Sequence, residues 1–448
     1  MNKKMLIYKI AVAVAVVALA VVLLTALVRK KDTYYHLQNR GDLGPLTRSD
    51  ITYLDVAAPS ETNYDGTITA ASWRSIYPEI ADSMDANGNN TAVVDYLEQD
   101  PYLVNIYDNY GFSKDYGSAR GHAFTLVDVA KTERPHATAN CLTCKTPNFA
   151  KLVQDQGVGV YTMDFKEVYD QINANGEAIS CYTCHGNEAG SKGKLMVTHE
   201  YVGKALGKNV STIDPGTLSC GQCHIEYYFT AVDSNGDGKL DAETMMPYHS
   251  IAEMSPEKIL AYYEAAPNKD GGVGFYDWIQ PGTGTHMLKA QHPEMETVLS
   301  GSHAARSCAD CHMEITMAED GTTYHSHELI SPLSSPTILA GCAECHENKT
   351  PDEMIQLVRN TQSRVTARET EVGNKLSELK DALTEAVEAG KMSESQLDAV
   401  RQLHREAQWF FDFCYVENSE GAHSINLTTR CLNTAEARIE EAMQLLGK

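Results

Sequence analysis

The chain has 448 residues, with 60 acidic against 37 Lys and Arg side chains and a formal net charge of −23. That balance excludes nucleic-acid binding as a main role, because a polyanion would be repelled over most of the surface. It also requires that any small anion be met by a local pocket of Arg, Lys and His.

The first element in chain order is an apolar run from Ile10 to Val28, broken only by Thr25, with Lys3, Lys4 and Lys9 before it and Arg29, Lys30 and Lys31 after it. It approaches the roughly 20 residues that cross a bilayer and exceeds the about 7–15 residues of a signal-peptide core. No small-x-small cleavage site closes it, so residues 1–31 read as a signal anchor in preference to a cleaved signal peptide. The positive charges on both flanks leave its orientation open.

Residues 32–350 are dense in Gly, Pro, Asn and Asp and read as short helices and loops. Five paired cysteines punctuate them. Four copies are Cys-x-x-Cys-His: Cys181/Cys184/His185, Cys220/Cys223/His224, Cys308/Cys311/His312 and Cys342/Cys345/His346. This spacing is the attachment signature of a c-type haem, with two thioethers and one axial histidine. The first copy differs, because Lys145 follows Cys141 and Cys144 where histidine stands elsewhere. Taken alone, Cys-x-x-Cys-Lys would suit a zinc knuckle or a redox dithiol, but structural zinc requires four ligands and usually two paired knuckles. Its place at the head of a haem array makes it a fifth attachment site. Lysine binds iron only as the neutral amine, so this ligand is costly unless the metal needs special electronics. The lysine site is therefore where chemistry is expected. Such closely spaced sites predict one continuous multihaem region, and c-type haem attachment places the bulk of the chain outside the cytoplasm.

The sixteen histidines leave twelve beyond the motifs: His36, His122, His136, His199, His249, His286, His292, His303, His325, His327, His404 and His423. Four haems acting as electron carriers would each take a second histidine from this set, and the lysine haem would keep an open face. Within the same region Asp233, Asn235, Asp237, Gly238 and Asp241 follow the opening of an EF-hand loop, but position twelve is Thr244. A calcium loop and an acidic surface turn both fit.

From Pro351 to the end, residues 351–448, the pattern turns helical. Val358, Val365, Val372, Leu376, Leu379, Leu383 and Val387 recur at helical spacing on a charged background. The first helix is expected to end near Gly390, and Ser393-x-x-Gln396 to cap a second one running towards Tyr415. The apolar stripe fits either a cover on the haem region or a subunit interface. Cys414 and Cys431 remain as a disulfide or as two thiols, which spacing cannot decide.

Taken together, the motif order and the segments Arg120-Gly-His122, Asp128-Val, Thr132-Glu-Arg134, Cys223-His-Ile-Glu226-Tyr227-Tyr228-Phe229 and Lys289-Ala-Gln291-His292-Pro293-Glu294 resemble the pentahaem, ammonia-forming cytochrome c nitrite reductases from about Trp73 to the C-terminus. The resemblance implies a mainly α multihaem cytochrome c fold, with haems packed among helices and loops and with long C-terminal helices. It implies five covalent haems and reduction of nitrite to ammonium at the Lys145 haem, with Arg134, Tyr227 and His292 lining its open face. His122 would complete the haem at His224, His327 that at His185, with His325 as competitor, His303 that at His346 and His423 that at His312. A calcium ion would take Glu226, Gln291 and the carbonyls of Tyr227 and Lys289, donors that suit a hard cation. A homodimer through the C-terminal helices follows as well, with a quinol-oxidising multihaem cytochrome or a soluble cytochrome c as donor. The readings set against this are a pure electron-transfer cytochrome and a reductase of hydroxylamine or sulfite.

Overall fold

The structure, a computed structural model, describes residues 46–230, 233, 238, 241–343 and 345–448. The apolar run at residues 10–28 lies outside the described residues, as do His36 and residues 234–237 and 239–240 of the acidic loop at 233–244. Among the described residues no helix is long and apolar enough to cross a membrane.

The fold is mainly helical. The longer helices are α1 (Pro147–Gln156), α2 (Phe165–Asn175), α3 (Pro256–Ala265), α4 (Pro351–Ala389), α5 (Glu394–Tyr415) and α6 (Ile425–Leu445). Among the shorter elements are helices of one or two turns and three antiparallel hairpin-like pairs: β1 (Tyr228–Phe229) with β2 (Thr244–Met245), β3 (Trp278–Ile279) with β4 (His286–Met287), and β5 (Ile315–Met317) with β6 (Thr323–His325). Strands this short cannot hold a domain together, so the middle region depends on packing around its motif segments.

Helices α4 and α5 are specified locally. Pro351 opens α4, Thr350 and Glu353 form a reciprocal capping box, and the helix stops at Gly390, which takes the left-handed conformation at φ 58°. Ser393 and Gln396 form the capping box of α5, as expected from sequence. The apolar stripe is resolved by burial: Val365, Val372, Leu376, Leu379 and Leu383 pack inside the chain's own core, while Val358 and Val387 are only part-buried. They meet α5, α6 and the turn Tyr102–Ile106. A Cβ on Gly373 would come within 2.3 Å of the Tyr102 ring, so glycine is what allows this approach. The stripe is thus a cover for its own chain.

Two smaller cores serve the motifs. Leu142, Phe149, Val153, Val160, Phe165, Val168 and Ile172 gather α1 and α2 beneath Cys141, and Ile68, Trp73 and Ala189 pack beside Cys181. Cys414 on α5 and Cys431 on α6 are both buried thiols and are not bonded to each other.

Candidate haem and catalytic site

The motif segments fold as single turns that turn sulfur and nitrogen to one side. Cys181–His185 and Cys308–His312 are five-residue helices, opened by capping boxes from Ser180 with Thr183 and from Ser307 with Asp310. On a helical turn, positions i, i+3 and i+4 share a face, which brings both thiols and the imidazole towards one planar ligand.

Opposite three of these histidines stands another. The ring centroids of His122 and His224 are 6.1 Å apart, those of His185 and His327 6.3 Å, and those of His312 and His423 6.1 Å. These separations leave space for one metal ion between two imidazole nitrogens, each about 2 Å from it as in ordinary imidazole coordination. The far nitrogens are held: His185 Nδ1 pairs with the Lys194 carbonyl at 2.9 Å, His312 Nδ1 with that of Ile330 at 3.0 Å and His327 Nδ1 with that of His325 at 2.8 Å. Such bonds fix the proton on Nδ1 and leave the Nε2 lone pair for a metal. His325 bonds the Met313 carbonyl through Nδ1, and it is His327 that faces His185. His303 lies within electrostatic reach of His346, although burial is the larger cause of its lowered pKa.

His292 introduces an ambiguity that sequence did not anticipate. Its ring is 6.2 Å from His224, as close as that of His122, so proximity alone does not rank the two. Both have a buried Nδ1 without a hydrogen-bond partner. His292 differs in its setting, because it follows Gln291 in the segment that holds Glu226.

The motifs are near neighbours. Cys144 contacts Cys223, Cys220 contacts Cys308, and Cys311 lies within reach of Cys342, while Cys184 lies near both cysteines of the third motif. The first, third, fourth and fifth motifs thus form a continuous row, with the second beside the third.

Cys345 differs from the other motif cysteines in its exposure. Sequence ranks it with the other haem-binding thiols, yet it is exposed, whereas the nine remaining motif cysteines are all part-buried. The reason is its place in the fifth motif, at the outer end of the row. The short helix Pro336–Cys342 stops at the first cysteine of the pair and buries only Leu339, so no apolar layer closes over the turn that follows. The turn itself is regular, with the Cys345 and His346 N–H groups donating to the Cys342 carbonyl at 3.2 and 2.9 Å. Cys345 is thus a solvent-facing thiol, and a haem attached through it would have an edge open to water.

Around Lys145 the expected residues converge. Its carbonyl accepts from Thr125 Oγ1 at 2.8 Å, and its side chain lies within electrostatic reach of His122 and His292. Arg134 lays its guanidinium 4.4 Å from the Phe112 ring centroid and keeps a buried Nε without a partner. Burial, and then Cys144, Cys141 and Glu226, push the Tyr227 phenol well above its usual pKa, with Arg134 opposing. Tyr227 therefore stays a proton-bearing donor. His292 is held down to about 4, chiefly by burial and against the pull of Glu294, so its imidazole is neutral near pH 7.

Beside this pocket sits a buried acidic group. Glu226 is fully buried and accepts from Tyr263 OH at 2.7 Å and from the Gln291 N–H at 2.6 Å. Gln291 Nε2 donates to the Lys289 carbonyl at 3.0 Å. Glu296 takes the Glu226 N–H at 2.8 Å, and Asp277 takes that of Lys289 at 2.8 Å. Burial pushes Glu296 up to about 7 and Asp277 up to about 6, so the group carries more acid than its surroundings solvate. That excess suits a divalent cation held by Glu226 together with carbonyl and amide oxygens. No cluster of three or more His, Cys, Asp or Glu that could hold a metal exists among the described residues, so such an ion would depend on those neutral oxygens. The Lys289 ammonium points elsewhere, to Asp412 at 3.6 Å and over the rings of Tyr107 and Phe112 at 5.0 Å each.

Sequence reasoning missed Glu296, Asp277, Asp412 and Tyr263, which reach the site from distant segments without a local motif. It also left His136 and His199 without a role. His136 stacks edge-on against Phe165 with centroids 4.0 Å apart, and His199 engages Thr143 and Thr198 through its two nitrogens.

Residues 70–448 match the family model of cytochrome c552. The chain belongs to the cytochrome c552 family, that of the cytochrome c nitrite reductases. It is 32% identical over 354 residues to cytochrome c nitrite reductase subunit NrfA of Nitratidesulfovibrio vulgaris, covering 73% of this chain and 65% of that relative's length. It is 31% identical over 399 residues to cytochrome c-552 of Aliarcobacter butzleri, covering 84% and 76% of the two. Its fold matches the catalytic subunit NrfA of the Desulfovibrio desulfuricans cytochrome c nitrite reductase, a structure described with two calcium sites, at a TM-score of 0.74 and 28% identity, covering 84% of this chain and 86% of that one. The multihaem cytochrome fold expected from sequence is therefore the observed one.

Proposed function

We propose that this protein reduces nitrite to ammonium at a c-type haem attached to Cys141 and Cys144 and ligated by Lys145. The observation that carries the reading is the convergence of Arg134, Tyr227 and His292 on the one attachment motif that lacks histidine. The conversion consumes six electrons and eight protons and releases two waters, so the pocket must bind an anion and deliver protons repeatedly. The haem supplies the binding position and the electrons. Arg134, with an unengaged Nε, neutralises and orients the anion. His292 serves as a neutral hydrogen-bond donor, and Tyr227, whose phenol keeps its proton, serves as a proton donor to the departing oxygens.

Four further haems at His185, His224, His312 and His346, completed by His327, His122, His423 and His303, would feed electrons along the row of motifs. The order of thiol contacts supports entry through the second or fifth motif and delivery through the third. Calcium at Glu226, Gln291 and the carbonyls of Tyr227 and Lys289 would fix the wall that carries Tyr227 and His292. Residues 10–28 would hold the protein at the outer face of the cytoplasmic membrane, facing a quinol-oxidising multihaem cytochrome or a soluble cytochrome c. A homodimer would use the polar outer face of α4 around Arg359, Gln362 and Thr366, since the apolar face is covered internally.

The test is to add nitrite to the purified holoprotein and follow both spectrum and product. A high-spin haem signal that shifts on nitrite addition, with one ammonium formed per six electrons consumed, is the expected result. Five low-spin haems indifferent to nitrite would instead leave an electron carrier. Faster turnover of hydroxylamine or sulfite than of nitrite would reassign the substrate. Chelation should slow nitrite turnover while the haems still reduce, and active protein free of calcium would remove the ion from the reading.

A further inference from the structure

Of the eight histidines assigned above to the four Cys-x-x-Cys-His haems, His185, His312 and His327 bond a neutral backbone carbonyl through Nδ1. His423 differs from these three. Its Nδ1 donates to Glu417 Oε1 at 2.5 Å. Glu417 sits in the turn between α5 and α6 and is 3% exposed, so water does little to dilute its charge. The geometry is constrained on every side: Ser419 Oγ donates to Glu417 Oε2 at 2.5 Å, and the His423 N–H donates to Ser419 Oγ at 2.9 Å. The nearest analogue, His224 with Glu294, is separated by 3.6 Å and lies beyond a hydrogen bond.

A carboxylate acceptor draws the Nδ1 proton and makes the imidazole a stronger electron donor through Nε2. A stronger donor favours ferric over ferrous iron. We infer that Glu417 is a positioning residue that gives His423 partial imidazolate character and sets the haem shared by His312 and His423 to a lower potential than the haem shared by His185 and His327. The fourth motif lies between the third and the fifth, through Cys308 to Cys220 and Cys311 to Cys342, so this haem stands in the row as a low-potential relay. Electrons arriving from the fifth motif would cross it in transit and come to rest on its neighbours.

The inference rests on the ligation proposed above, and the experiment separates the two. The holoprotein is titrated with dithionite and mediators while ferric low-spin signals are followed by electron paramagnetic resonance. The His423→Ala variant identifies the signal, because the haem that loses its sixth ligand leaves the low-spin set. If all low-spin signals survive that change, the ligation reading fails and the inference with it. In Glu417→Gln the same signal should persist with a larger highest g value and a midpoint potential shifted positive, the other haems being unmoved. An unshifted midpoint and g value in that variant overturn the inference and leave ligation standing. Ser419→Ala gives an independent arm, since losing the donor on Oε2 leaves the carboxylate more anionic and should shift the midpoint negative. Shifts of the same sign in both variants would mark a merely structural effect and overturn the assignment.

Discussion

The motif-bearing region before Thr350 and the three C-terminal helices solve the problem of folding in opposite ways. Helix α4 has its own start and stop signals and α5 its own capping box, and together with α6 they bury a continuous apolar face, with Val372, Leu376, Leu379, Val400 and Ala407 almost fully enclosed. The motif region instead has strands of two or three residues and helices of at most 11 residues, and most of its thiols and imidazoles turn inwards, which are poor material for a core. Its interior becomes chemically complete when metal and porphyrin engage those groups. The lesson is that the C-terminal helices act as a scaffold that folds on hydrophobic burial, whereas the motif region is organised around its cofactors.

The largest effect should come from a change that leaves both regions folded and alters only chemistry. Tyr227→Phe removes one hydroxyl beside Arg134 and should lower nitrite turnover by roughly 10²–10⁴-fold with haem content unchanged. Steady-state kinetics on the purified variant would check this. Turnover at the parent rate would place the proton source elsewhere.

Trp409→Ala should do the reverse. Trp409 on α5 is fully buried, donates its indole N–H to the Pro256 carbonyl at 2.9 Å and packs edge-on against Tyr263 and Phe413, with centroids 5.5 and 5.7 Å away. Removing so large a buried ring costs about 3–5 kcal/mol. Denaturant unfolding followed by far-ultraviolet circular dichroism should show that loss, while the visible haem spectrum of the folded protein stays as in the parent. A changed haem spectrum would mean that scaffold and cofactor region are not separable.

The sequence made these regions legible to different degrees. Haem attachment could be read because Cys-x-x-Cys-His is a contiguous motif whose geometry is local. The ends of α4 and α5 could be read for the same reason, from Thr350, Gly390 and Ser393. What could not be read is what comes from afar. The motif at Cys342 and Cys345 is spelled like the others, and its exposure reflects only how little of the chain packs over it. Periodicity showed the α4 stripe to be apolar but not what covers it, and the cover includes the Tyr102–Ile106 turn, tied to α4 by Asn105 to Ser377 across 272 residues. Asp277 and Glu296 reach Glu226 in the same non-local way. Family resemblance supplied the distal histidines, and geometry then favoured His327 over His325, yet it set His292 as close to His224 as His122.

A smaller effect is expected where the two regions meet. Burial, and then Glu420, Glu417 and Asp100, push Glu369 on α4 up to about 8 from an ordinary value of 4.5. Between these values the folded protein holds a proton that the unfolded chain has released. Stability from this group is therefore fully present below about pH 4.5 and is lost as pH rises through about 8, with a slope of at most about 1.4 kcal/mol per pH unit. Glu369→Gln should flatten that slope and raise the melting temperature at pH 8 more than at pH 5. An unchanged pH profile would show that the carboxylate is better solvated in solution.

The smallest effect tests how self-contained the scaffold is. Ser393 accepts the Gln396 N–H through its hydroxyl, and Gln396 Oε1 returns to the Ser393 N–H at 2.9 Å, so both donors at the start of α5 are satisfied within four residues. Gly390 has already turned the chain by its left-handed conformation, which leaves the capping box to fix where α5 begins. Ser393→Ala should then cost about 1 kcal/mol, the ordinary value of such a cap, and Ser393→Gly a few tenths. Ser393 is far in sequence from any cysteine pair, so haem content, spectrum and nitrite turnover should match the parent in both variants. If Ser393→Ala costs nothing measurable in unfolding, α5 is held by its packing against α4 and α6 alone. If it lowers haem incorporation, the helices fold together with the motif region, and the division between scaffold and cofactor-organised region does not hold.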